Sequence, residues 1–157
     1  MTRYAKGARG ERELLNEFYT RKYSVMRSAG SGVNAISPDI IAMKGRKGFA
    51  FECKAWDNTS LSIEPDKYEV LVEWEKNTGM DTFIAWRMSG KGWFFIRLGE
   101  LRLAEKNYTV TRKTALEISR TLEAILSEGL ALDDGSASIA EDSMSNEEDS
   151  EVEVEIA

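Results

Sequence analysis

Residues 49–56 read FAFECKAW. Side chains alternate between the two faces of a strand. Phe49, Phe51, Cys53 and Ala55 therefore share one face, and Ala50, Glu52, Lys54 and Trp56 share the other. The first set reads as core. The second brings an acid and an amine to the same side, a spacing that an ordinary surface ion pair satisfies as well as a reactive site does. The residues upstream decide between these. Pro38-Asp39 stands with Asp39 13 residues before Glu52. A strand over 39–43, a KGRKG turn and a strand over 49–56 pair antiparallel, which lays Asp39 beside Glu52. Two adjacent carboxylates repel, so one pKa must rise unless a cation lies between them. A hard divalent ion answers this, and magnesium suits carboxylates and water best.

A third acid lies further upstream. A helix over residues 8–19 has Leu14, Leu15 and Phe18 as its apolar stripe. Glu11 precedes these by three, four and seven residues, so it shares their stripe. A carboxylate there needs a partner or a cation, since burying it alone costs on the order of several kcal/mol. Complementing the helix dipole, pairing with Arg9 or Lys54, and reaching a metal as a third acid all satisfy that need. Glu13 and Glu17 fall on the outward face. Around this centre the spacing predicts a strand over 23–27, a Gly- and Ser-rich loop over 28–37 and a helix from Pro65 to Gly79. A hairpin follows, over 82–87 and 93–98 around SGKG, and then a helix over 114–126. Thr114 and Glu117 make a capping box for the last helix, with Ala115, Ile118, Leu122 and Ile125 as its stripe. The order is αβββαββα. The class is α/β, a central mixed β-sheet flanked by helices.

Composition narrows the chemistry. The chain of 157 residues contains no histidine and one cysteine, Cys53, which excludes an internal disulfide and a zinc cluster. Cys53 reads as core, as do Trp86, Trp93 and the Phe94-Phe95 pair. Acid–base work must fall to carboxylates, Lys, Tyr or metal-activated water. No apolar run is long enough to cross a bilayer and the N-terminus has no signal-type segment, so a cytoplasmic protein is expected. The net charge of −6 hides an asymmetry. Residues 131–157 hold ten acids and no Lys or Arg; removing these from 27 acids leaves 17 against 21 bases, a net of +4. Residues 1–60 carry 11 bases and 6 acids, as a phosphate-binding surface requires. The acidic, aromatic-free segment 131–157 is expected to be disordered. By charge alone it would either compete with a phosphate-bearing ligand for the basic face or dock a protein partner.

Pro38-Asp39 with Glu52-Cys53-Lys54 matches the PD-(D/E)XK nuclease motif, which is short. A wider set is more specific: KGARGEREL, VMRSAGSG, SPDIIAMK, FECK and KNYTVTRKTA, in order over about residues 4–128. This set resembles the archaeal Holliday-junction resolvase family. The resemblance implies a restriction-endonuclease-like nuclease domain over residues 1–130, with 131–157 as an acidic tail outside it.

The resemblance also implies roles. Glu11, Asp39 and Glu52 match the family's metal-binding acids, for magnesium with manganese as a substitute. Lys54 matches its catalytic lysine, and Ser31 matches an active-site serine in the loop. Arg12 and Arg27 match arginines needed for DNA contact or cleavage, and the Cys53 carbonyl is a further expected metal ligand. The loop reads RSAGSG where many relatives read RAPASGS, and the acidic tail has no counterpart in the match. The implied reaction is paired nicking of four-way junctions in recombination and repair. Lys6, Arg9, Arg12, Arg27, Lys44, Arg46 and Lys47 would hold the phosphates. Two scissile strands related by a two-fold axis imply a homodimer. Tyr68, Leu71, Val72 and Trp74 offer either its face or plain helix-on-sheet packing. A nuclease acting on linear duplex or flaps, and a silent DNA-binding module of the same fold, are the alternatives.

Overall fold

The computed structural model describes residues 3–28 and 36–130. Its centre is the expected hairpin. Strand β2 (Ile40–Lys44) and strand β3 (Lys47–Ala55) pair antiparallel around Gly45, whose φ of 61° is the left-handed geometry a tight turn needs. Strand β1 (Ser24–Arg27) pairs antiparallel with β2. Helix α2 (Pro65–Thr78) starts at proline and ends at Gly79, whose φ is 69° and whose N–H closes on the Glu75 carbonyl at 2.9 Å. It carries the chain across to β5 (Asp81–Met88), which runs parallel to β3 and pairs antiparallel with β6 (Gly92–Arg97). The five-stranded order is β1-β2-β3-β5-β6, a mixed sheet with β3 in the middle.

Both faces of this sheet are covered. On one, Leu14 and Phe18 of α1 (Arg3–Thr20) and Ile125 of α4 (Leu122–Leu130) pack against Phe49, Phe51, Phe83 and Phe95. On the other, Leu71 of α2 meets Ile84, Trp86 and Ile96. A small three-stranded sheet, ordered β4-β8-β7, shares that second core through Leu61, Ile63 and Val110. Its strands are β4 (Ser60–Ile63), β7 (Arg102–Ala104) and β8 (Asn107–Thr111). This burial on both sides is why Ala50 and Glu52, on the face opposite the phenylalanines, are as hidden as Phe49 and Phe51.

Several expectations need correction. Helix α1 begins five residues earlier than residue 8, in spite of Gly7 and Gly10. A glycine inside a helix costs about 1 kcal/mol against alanine, but Gly10 lets α1 sit on β3. A Cβ there would come within 3.2 Å of the Ala55 Cβ and 3.6 Å of Trp93. The small sheet was not expected, because its strands of three to five residues are too short to show a period. The single helix over 114–126 is two, α3 (Arg112–Ile118) and α4, separated by Ser119–Thr121. The exposed edge of β6 takes the backbone of Arg120, with Phe95 N–H on its carbonyl at 3.0 Å and its own N–H on the Phe95 carbonyl at 2.9 Å. The N-cap is Thr111, which accepts from the Thr114 N–H, so the Thr114–Glu117 box does not form. Leu71 is fully buried and Tyr68 stacks on Tyr108 at 3.6 Å, so these two serve the chain's own packing, while Val72 of the same stripe is exposed. The segment expected to be disordered, 131–157, lies outside the described residues.

Candidate active site

Asp39 leads directly into β2. Its N–H donates to the Phe51 carbonyl at 2.9 Å, and its carbonyl accepts from the Ser28 N–H at 2.8 Å. The register ends with Ile40 opposite Phe51, and Asp39, one residue before it, feels the charge of Glu52, one residue after Phe51. The carboxylate of Asp39 accepts the Cys53 N–H at 2.8 Å. Burial first, and the charge of Glu52 second, push its pKa up to about 6 against the pull of the Cys53 amide and Lys54; Glu11 adds a smaller push. That is the behaviour of a partly buried acid standing beside a second carboxylate.

Glu52 is 4% exposed and faces the α2 side of the sheet. Lys54, two residues along the same strand, donates to its Oε1 at 2.8 Å. Burial lowers the Lys54 pKa, but the charge and hydrogen bond of Glu52, with Asp39 behind them, outweigh burial and leave it raised. From α2, Lys67 donates to the Ser37 carbonyl at 2.8 Å and brings Nζ to 3.0 Å from Glu52 Oε2. The second approach is off the hydrogen-bonding angle, so the buried Oε2 is close to a charge yet accepts no hydrogen bond. Lys67 was not singled out in the sequence. Its signal was that of Glu11: it precedes Leu71 by four residues and Trp74 by seven, on the stripe that faces the sheet.

Glu11 does sit inward, with its side chain 15% exposed, but its partner is Arg27 of β1, whose Nε donates to Oε2 at 2.6 Å. Neither Arg9 nor Lys54 is that partner. Among the described residues no group of three or more acids or cysteines lies close enough to hold a metal. The three-acid cage is therefore not assembled, for a physical reason. Glu11 belongs to the α1 layer and Glu52 points to the α2 layer, so Arg27 neutralises one and the two lysines the other. Asp39, between them, feels both.

The family model of the archaeal Holliday junction resolvase (Hjc) matches residues 2–130. The chain belongs to this family. It is 35% identical over 107 residues to the crossover junction endodeoxyribonuclease Hjc of Archaeoglobus fulgidus, covering 68% of this chain and 79% of that protein. It is 34% identical over 114 residues to the enzyme of the same name from Methanocaldococcus jannaschii, covering 71% and 80%. The solved structure of Archaeoglobus fulgidus Hjc, a Holliday junction resolvase from an archaeal hyperthermophile, superposes with a TM-score of 0.69 at 28% identity. That match covers 76% of this chain and 98% of that one. The mixed sheet flanked by helices is thus the fold of the Hjc family.

The remaining residues expected from the Hjc resemblance are spread out. Ser31 and the side chain of Lys6 lie outside the described residues. Arg9 and Arg12 are exposed on the α1 turns around Glu11. Lys44, Arg46 and Lys47 are at the β2–β3 turn, about 16 Å from Asp39 along the strand at roughly 3.3 Å per residue. There Lys44 donates to the Arg21 carbonyl at 3.1 Å and Lys47 lies 4.9 Å over the Phe49 ring. Glu13, assigned to the outward face, is instead paired with Arg87 at 2.9 Å and accepts from Trp93 Nε1 at 3.1 Å. Glu17 pairs with Arg21 at 2.6 Å. A cleft of about 520 Å³ adjoins Glu13, lined by Arg9, Gly10, Ala55, Arg87 and Ser89, and none of the acids Glu11, Asp39 and Glu52 lines it. Cys53 is partly buried against the core, and burial, then Asp39 and Glu52, push its thiol well up, so it is no nucleophile.

Proposed function

We propose that this chain is a Holliday-junction-resolving endonuclease in which Asp39 and Glu52 hold a divalent cation and Lys54 acts beside them. The observation that carries the reading is the acid pair itself: half-buried Asp39, raised to about 6 by burial and by Glu52, and buried Glu52, whose Oε2 faces Lys67 yet accepts no hydrogen bond. Two such oxygens fit a hard, oxygen-seeking cation of the magnesium or manganese kind. Glu11 joins them only by leaving Arg27. What the ion supplies when bound is positive charge that acidifies water and polarises a phosphoryl oxygen.

The chain's own residues do the rest. Asp39 and Glu52 fix the place of reaction at one end of the β2–β3 pair. Lys54, held by Glu52 and kept charged, faces the charge that builds on the phosphoryl oxygens as water adds to phosphorus. The bond to the 3′ oxygen breaks, that oxygen takes a proton, and a 5′ phosphate remains. Arg9, Arg12 and Arg27 bind flanking phosphates beside the acids, and Lys44, Arg46 and Lys47 bind them further along the strand. A phosphate that takes Arg27 from Glu11 releases that carboxylate toward the pair. A four-way junction presents two scissile strands about a two-fold axis, so a homodimer supplies a site to each. The acidic segment 131–157 serves either to dock a protein partner or to screen the basic surface.

Asp39→Asn tests the reading, since it keeps the Cys53 N–H acceptor and removes the charge. Junction cleavage in magnesium should fall by at least about a hundredfold, with junction binding measured in chelator within about twofold of the parent. Normal cleavage by this variant would refute the assignment.

A further inference from the structure

Lys67 is the third residue of α2, a first-turn place where the helix dipole disfavours a cation. Its side chain is only 19% exposed. Leu71, one turn on, already anchors the helix in the core. A half-buried lysine set against the dipole is a local cost the fold does not require, and such conflicts mark functional positions. What Lys67 reaches gives the reason. Nζ spans the Ser37 carbonyl at 2.8 Å and Glu52 Oε2 at 3.0 Å, so α2 is tied at one atom to the approach to Asp39 and to Glu52 itself.

We propose that Lys67 is a positioning residue of the cleavage site: the counter-charge that seats Glu52 when no metal is bound, and so sets how tightly the Asp39–Glu52 pair takes a divalent cation. The inference rests on the reading of that pair as the metal-binding acids. Lys54 holds Oε1 through a hydrogen bond, whereas Lys67 faces Oε2 through charge alone. A divalent cation and an ammonium compete for the same oxygen. Lys67 can yield it, because its hydrogen bond is to the Ser37 carbonyl and survives the exchange. Lys54 stays with the chemistry and Lys67 tunes occupancy.

Lys67→Met in the whole chain separates this from simple packing. Manganese is titrated without DNA by calorimetry, and the melting temperature is read with and without the ion. Without metal, Lys67→Met should melt lower than the parent, because Glu52 loses a partner. Its manganese dissociation constant should nonetheless be at least about threefold tighter, because the competing charge is gone. Lys67→Arg should stay near the parent in both. A lower melting temperature with unchanged or weaker manganese binding would overturn the proposal, leaving Lys67 a structural tie. Should Lys67→Met not fold, Lys67→Gln, which can still donate to Ser37, is read against the same two outcomes. A parent whose manganese heats match those of Asp39→Asn would remove the metal pair itself, and this inference with it.

Discussion

Asp39 carries a stability consequence that can be measured apart from cleavage. Its pKa in the folded protein, about 6, is above its unfolded value. The folded state therefore binds the extra proton between about pH 4 and 6, and stability falls as pH rises through that window. Without metal, Asp39→Asn should then stabilise the protein at pH 7 by on the order of 1–2 kcal/mol and make no difference below about pH 4. Denaturant unfolding at the two pH values in chelator checks this, and an unchanged or lower stability at pH 7 would show that Asp39 carries no such strain. The pairing of Asp39 with Glu52 could be read from the chain because it needs only strand alternation and a short turn, both local. Lys54 followed by the same rule. The partner of Glu11 could not be read in that way. Arg27 is 16 residues away on a strand that meets α1 only in the folded layers. Lys67 obeyed a rule already applied to Glu11, and its charge was visible on the buried stripe of α2.

Helices ended where local chemistry spoke clearly and broke where a distant strand intervened. Pro65 and Gly79 bound α2 by backbone geometry that proline and glycine carry with them. The continuous apolar stripe from Ala115 to Ile125 hid the break at Arg120, because the hydrogen bonds that make it belong to Phe95 on β6. The cap moved with the boundary. Thr111 Oγ1 accepts from the Thr114 N–H at 3.1 Å, which makes it the residue that ends β8 and starts α3. Thr111→Ala should lower stability by roughly 1 kcal/mol, the usual loss for an N-cap threonine, and Thr114→Ala by less. Thermal unfolding of the two variants decides it; an equal or reversed order would return the cap to Thr114. The β4-β8-β7 sheet escaped notice for want of length, yet it closes the second core and so buries the face that Glu52 shares.

Charge is divided along the chain, with an excess of bases in residues 1–130 and ten acids in 131–157. If the acidic segment screens the basic surface, removing residues 131–157 should tighten junction binding and steepen its loss with salt, because more phosphates find a cation. Equal affinity and equal salt slope in a binding titration would leave the segment with partner docking alone. The fold class was read correctly because one central hairpin and one crossover helix fix the mixed sheet. Asp39 and Glu52 come from one hairpin and follow from local rules, whereas Glu11 sits in the α1 layer with Arg27, a partner set only by the whole packing. Resolution of four-way junctions by paired cutting is the function proposed for the whole molecule. The parent protein, given magnesium, should nick a four-way junction in two opposite strands and leave a linear duplex of the same sequence whole. Equal cutting of the duplex, or no cutting of the junction, would contradict it.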